Sequence, residues 1–127
     1  MKKNLSVVLA WGVSLLVVSG PAFAHHAGST YDSEHQVTVT GTVTEFLFVN
    51  PHAQVRFEVK DDKGEVTQWT AESAPPQRLY RAGWTRNSLK PGDLITVTGA
   101  PAKDGRKFMS VRKLVAPSGQ VLGQGAE

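Results

Sequence analysis

The chain has 127 residues, with 14 lysines and arginines against 11 aspartates and glutamates, and it contains no cysteine. The lack of cysteine excludes disulfides, thiolate metal sites, cysteine nucleophiles and a lipid-modified N-terminal cysteine. The formal net charge is +3, far below that of a strongly basic protein that binds polyanions.

The first 24 residues have the features of an export signal. Two lysines precede an apolar stretch at residues 5–18, and the Ala-Phe-Ala sequence at residues 22–24 provides a small-residue cleavage pattern. An uncleaved membrane anchor is the alternative, but polar residues and glycine interrupt the stretch, whereas a membrane span needs about 18 or more apolar residues. We therefore predict cleavage after Ala24 and a bacterial protein that is periplasmic or secreted.

Cleavage would leave 103 residues with a net charge of +1, because the signal carries two lysines and no acidic residue. This length suits one small domain with one core. The nearly balanced charge predicts no nucleic-acid binding, and we expect no membrane association after cleavage. We predict an N-terminal segment at residues 25–35, a barrel domain at residues 36–116 and a flexible tail at residues 117–127.

Short alternating runs separated by turns predict strands. Valine alternates with threonine in residues 36–50, which predicts a long strand with one buried face. Phe46 and Phe48 fall on the opposite face from the valines, so either both faces are covered there or a bulge intervenes. Gly41 lies where the long first strand of a small barrel would bend.

The remaining elements complete a recognisable order. Two prolines, Pro75 and Pro76, suit the opening of a helix, and Gly83 suits its end. The predicted elements are strands at residues 36–50, 53–60, 65–72, 94–99 and 107–115 and a helix at residues 75–82. Three strands, a short helix and two strands predict an all-β fold, a small five-stranded Greek-key barrel of the OB type.

Several motifs resemble those of a known bacterial family. They include "HHA" at residues 25–27, "VTVTGTV" at 37–43, "NPHA" at 50–53, Trp69 with Glu72, "RAGWTRNSLKPGD" at 81–93 and "VTGAPAKDG" at 97–105. The chain is similar to the exported family called domain of unknown function 6152, over almost all of residues 25–116. The resemblance implies an exported protein with this kind of fold and supplies no established activity.

The histidines are candidate metal ligands. Cleavage after Ala24 would make His25 the first residue, and the α-amine and ring Nδ1 of an N-terminal histidine can chelate one ion together. Nitrogen ligands of this kind favour Cu²⁺ among the divalent ions. We predict a copper site formed by His25 with His26 and His52, and the sequence leaves His35 open as another third ligand. The alternatives are a solvated polar N-terminus and a structural role for His52 in its turn.

A second candidate site lies on the barrel near His52. The predicted ligand- or partner-binding residues are Phe48, Asn50, Trp69, Glu72 and Arg81. Glu72 ends the third predicted strand, where it could orient His52, accept from a ligand or remain solvated. The aromatic side chains could stack on a ligand, although core and lid roles are the simpler interpretation in so small a domain.

No nucleophile motif or paired-carboxylate arrangement points to catalysis, so we predict a protein that is not an enzyme. A redox enzyme with copper at the N-terminal histidine is the weaker alternative, since no substrate cleft is indicated. Two functions remain: an exported binding protein that holds copper through its processed N-terminus, or a metal-free accessory module for a partner protein or small ligand. The sequence identifies neither the partner nor the ligand.

Overall fold

The computed structural model describes residues 30–123 of the chain. The predicted signal peptide, His25 and His26 lie outside the described residues. The elements are β1 (Val37–Leu47), β2 (Gln54–Lys60), β3 (Val66–Glu72), α1 (Pro76–Arg81), β4 (Leu94–Pro101), β5 (Phe108–Val115) and β6 (Val121–Gly123).

Five of the strands close into a barrel. β1 pairs antiparallel with β2 and with β4, β2 pairs with β3, and β4 pairs with β5. A parallel pairing between β3 and β5 closes the circle. The helix lies between β3 and β4 in the chain, so the predicted order of three strands, helix and two strands is confirmed, as is the OB-like barrel.

The long first strand, β1, bends and so pairs with two different strands. Its first half pairs with β4 and its second half with β2, and Thr42 has a partner in each. At Gly41 an added Cβ would collide with the carbonyl oxygen of Glu58 and the ring of Phe57. A bulge follows between Val43 and Glu45. The bulge moves Phe46 to the core side of the strand, which explains the change of phase in the sequence.

The barrel interior is apolar, and no polar or charged residue among those described is buried. Its largest buried side chains are those of Trp84, Phe57, Ile95 and Met109. Three other aromatic side chains, Phe46, Phe48 and Trp69, are partly buried and pack against this core. The expectation that the aromatic side chains take core or lid roles fails at Tyr80, which lies on α1 and is 69% exposed.

The helix has the predicted boundaries to within one residue. Pro75 precedes it, Pro76 is its first residue, Leu79 is its buried residue and Gly83 follows with φ 85°. Within residues 30–123, no helix is long and apolar enough to cross a membrane.

The tail prediction is wrong for residues 117–123. A turn that begins at Pro117 leads into β6 (Val121–Gly123), which pairs antiparallel with β5. Leu122 is 8% exposed and belongs to the core. A strand forms here because the last half of β5 has no partner in β3, so its edge is open to the returning chain. Residues 124–127 lie outside the described part.

Candidate functional site

The hairpin of β2 and β3 brings His52 to Glu72. Gln54 pairs with Glu72, and the ladder continues beyond both strands through hydrogen bonds that join Ala53 to Ser73 and Ala74. Side chains alternate along a strand, so His52, Gln54 and Glu72 all lie on the outer face of the barrel. The Nδ1 atom of His52 is 3.3 Å from a carboxylate oxygen of Glu72.

The chain that precedes β1 is tied to the same part of the barrel. Tyr31 forms a bridge with Ala102, the amide of Asp32 donates to the carbonyl of Pro101 at 2.8 Å, and Lys103 donates to Thr30 at 3.0 Å. The phenol of Tyr31 donates a hydrogen bond to the carboxylate of Glu72. Glu72 therefore contacts both the N-terminal segment and His52.

The environment of Tyr31 favours its neutral phenol. Its pKa is raised to about 12, first by burial and second by the negative charge of Glu72, while Arg106 acts in the opposite direction. The ring also stacks on Phe108 with centroids 6.1 Å apart. The hydroxyl thus remains a donor to Glu72 throughout the physiological pH range.

His35 has a different carboxylate partner. Its Nδ1 lies 2.9 Å from Asp32, whose other oxygen accepts from the amides of Glu34 and His35. These bonds hold the pKa of Asp32 below its usual value, the side-chain bond with His35 being the largest cause. His35 itself is 80% exposed, and no described contact joins it to His52 or Glu72.

Two of the predicted metal ligands, His25 and His26, lie outside the described residues, and His52 is the third. Within residues 30–123 no cluster of three or more histidine, cysteine, aspartate or glutamate side chains is arranged to hold a metal ion. Of the three predicted ligands, the described part of the chain contains His52, with Glu72 as its carboxylate partner.

The structure does not gather the five predicted ligand-binding residues into one site. Glu72 lies on the outer face beside His52. Trp69 lies on the inner face, stacks on Phe57 with centroids 6.4 Å apart and has the Lys107 ammonium 5.4 Å from its ring. The other three are Phe48, which packs on Phe46 and the core, Asn50, which is exposed before the cis bond to Pro51, and Arg81 on α1.

Sequence reasoning missed Tyr31, Phe108 and Arg106. Phe108 is the first residue of β5, and its ring stacks on that of Tyr31. The Arg106 guanidinium is 5.6 Å from the centre of the Phe108 ring. The only local signal was an aromatic residue in the polar stretch before the first strand, which does not reveal a contact with Glu72, 41 positions away.

A sequence profile of the family of unknown function DUF6152 matches residues 12–110. The chain belongs to this family. The match confirms the resemblance drawn from the motifs, and the family's description assigns no activity. A comparison with curated proteins found no match.

Similar solved structures are distant. A complex of TiaS with its tRNA and ATP aligns at 20% identity and TM-score 0.44 over 68% of this chain, which spans 19% of the TiaS chain. The mitochondrial single-stranded DNA binding protein Rim1 of S. cerevisiae aligns at 12% identity and TM-score 0.47, covering 73% of this chain and 98% of Rim1. A small single-stranded DNA-binding protein from Streptomyces coelicolor aligns at 18% identity and TM-score 0.44, covering 73% of this chain and 95% of that protein. Because these scores are below 0.5, the fold assignment depends on the strand pairing described above.

Proposed function

We propose that the protein is an exported, non-enzymatic copper-binding protein whose site joins the processed N-terminal histidine, His25, to His52, with His26 as a further candidate ligand. The observation that carries the proposal is the double contact of Glu72, which holds His52 on one side and the N-terminal segment, through Tyr31, on the other. The metal ligands would then come from the two chain segments that Glu72 links.

The pairing of His52 with Glu72 supports a role as a metal ligand. Metal-binding histidines commonly donate their other ring N–H to a carboxylate, which fixes the tautomer and increases the basicity of the ligating nitrogen. With Nδ1 facing Glu72, the second ring nitrogen, Nε2, is the one that would bind copper. The His52 side chain is 46% exposed, so an incoming ligand set has access to it.

The N-terminal residues begin from an anchor in the same part of the barrel as His52. His25 is five residues before Thr30, which is bonded to the β4–β5 connection, so an extended chain would carry it up to about 16 to 18 Å from Thr30. One tyrosine side chain and one carboxylate separate this anchored segment from His52. His35, the alternative third ligand, is paired with Asp32 instead.

The test is calorimetric titration of Cu²⁺ into mass-verified protein that starts at His25. One variant carries an acetyl group on the His25 amine, which removes the amine from the chelate without creating a new one. The control carries an extra alanine between Ala27 and Gly28, which keeps the amine and the His25 ring together and changes only the length of the segment. We expect tight one-to-one binding that acetylation weakens at least a hundredfold and the insertion weakens much less. Equal affinity in the acetylated protein and the insertion variant would contradict the proposal.

A second candidate function is that of a metal-free binding module for a partner protein or small ligand. It is favoured by the cation and aromatic pairs of Lys107 with Trp69 and of Arg106 with Phe108, in which both cationic residues are exposed. This function predicts that Trp69→Ala abolishes recovery of a bound partner from a periplasmic extract, whereas acetylation of the His25 amine does not. The reverse pattern would favour the copper site.

A further inference from the structure

A cavity of about 450 Å³ lies between α1, β5 and β6, and none of the residues proposed to bind copper lines it. Its volume is within the range of small-molecule sites, about 300 to 1,000 Å³. The cavity exists because β6 returns along β5 beneath the helix. The side-chain amide of Gln120, just before β6, donates to the carbonyl of Gly83 at 3.1 Å and so fixes the turn to the end of the helix.

The lining of this cavity is apolar at its base and cationic at its edge. Leu79, Val111 and Leu122 are buried core residues that line it. Arg78 and Arg81 also line it, one turn apart on α1, and residues at this spacing lie on the same side of a helix. No acidic residue is among the described residues that line the cavity.

Neither arginine has an ionic partner within the described part of the chain. The carboxylates that form ion pairs there do so with His35, His52, Arg56, Lys90 and Arg106. Two neighbouring guanidinium groups without a counter-charge favour an anion, and a planar carboxylate matches the paired N–H donors of arginine. Ser73 lines the same cavity, and its buried hydroxyl has no hydrogen-bond partner among residues 30–123.

We propose that this cavity binds a small amphipathic carboxylate, with the apolar chain against Leu79, Val111 and Leu122 and the carboxylate on Arg78 and Arg81. Contact with the apolar base removes the hydrocarbon chain of the ligand from water, which favours binding. The arginines select the charged head group. A neutral molecule of the same length would make only the first of these interactions. None of the lining residues is a proposed metal ligand, so binding in the cavity can be tested on metal-free protein.

The test uses octanoate as the probe and metal-free protein, so that failure of the copper proposal does not affect it. Titration is followed by two-dimensional NMR, with the methyl signals of Leu79 and Leu122 as local reporters. We expect saturable shifts at both residues, and Arg78→Gln and Arg81→Gln each to weaken binding about tenfold or more. Arg86→Gln is the matched control, since Arg86 is exposed and does not line this cavity.

Ala82→Phe provides a second variant that tests the cavity itself. Ala82 lines the cavity, is exposed and follows α1, so a larger side chain can partly fill the opening without entering the core. We expect it to prevent octanoate binding while the thermal unfolding midpoint stays close to that of the parent protein. Equal affinity for octan-1-ol, binding that ignores both arginine variants, or no saturable shift at millimolar octanoate would each overturn the proposal.

Discussion

Glu72 is the residue that connects the candidate site. Its carboxylate accepts from the Tyr31 phenol and lies 3.3 Å from His52 Nδ1. Residue types alone made Glu72 a candidate for orienting His52, and the structure places the two in contact. The link to Tyr31 was beyond sequence reasoning, because it depends on how the segment before β1 crosses the barrel.

Tyr31 gives the first prediction, a titration at high pH. A tyrosine whose pKa rises from 10.0 to about 12 on folding stabilises the folded state at pH values below 10, and this contribution is lost as the pH rises from 10 through 12. In a Tyr80→Phe background, the absorbance of the remaining tyrosinate should therefore appear with a midpoint near 12.

Replacing the carboxylate provides the control for that titration. Glu72→Gln removes the negative charge that disfavours tyrosinate, so the midpoint of Tyr31 should decrease, although burial still raises it. Glu45→Gln should leave the midpoint unchanged, because Glu45 pairs with Arg56 at 2.8 Å. A midpoint that is the same with and without Glu72 would contradict the contact.

At the scale of single elements, Gly41 permits the bend of β1. The added Cβ of Gly41→Ala would meet the Glu58 carbonyl and the Phe57 ring, neither of which can move without disturbing the barrel wall. We expect a loss of about 1–3 kcal/mol or more in the free energy of unfolding, measured by urea denaturation. Gly123→Ala is the control, because its Cβ would meet no atom closer than 3.8 Å; an equal loss in both variants would contradict this account.

The sixth strand gives a second prediction at this scale. Leu122→Ala should lower the free energy of unfolding by about 2 kcal/mol, near the low end of the range for buried leucines, since this leucine lies at the margin of the core. The neighbouring Val121, 51% exposed, provides the control, and Val121→Ala should change stability much less. A Leu122→Ala variant as stable as the parent would mean that residues 117–123 form a tail after all.

The elements that the sequence predicted are those with a local pattern. Alternation and turn residues located the first five strands, and two prolines with a following glycine located α1. β6 was missed because a strand of three residues is too short for a period to show, and its stability comes from the open edge of β5. The closing pairing of β3 with β5 was predictable only from the overall order of elements, because parallel partners are far apart in the chain.

At the scale of the whole molecule, the charge of residues 25–127, the chain expected after cleavage, predicts that nucleic acid is not a ligand. Phosphate contacts dominate the affinity of such complexes and need an excess of basic side chains, whereas residues 25–127 carry a net charge of only +1. We expect no binding of fluorescein-labelled oligothymidine by fluorescence anisotropy at about 150 mM salt. A single-stranded DNA binding protein serves as the positive control, and micromolar binding by this chain would contradict the prediction.

The placement of the candidate metal ligands also belongs to the whole molecule. The hairpin register made the meeting of His52 and Glu72 predictable in principle, since Gln54 faces Glu72. The approach of the N-terminal segment was not predictable, because it depends on bonds to Pro101 and Ala102 at the far end of β4. The central claim is that this approach lets His25 and His52 bind one ion.

The most direct test is the EPR spectrum of the one-to-one Cu²⁺ complex of the protein that starts at His25, compared with that of His52→Ala. We predict hyperfine coupling to three nitrogens in the parent, from the amine, the His25 ring and the His52 ring, and the loss of one in the variant. His35→Ala should leave the spectrum unchanged. A His52→Ala spectrum identical to that of the parent would contradict the account, because the turn before β2 would then contribute no ligand.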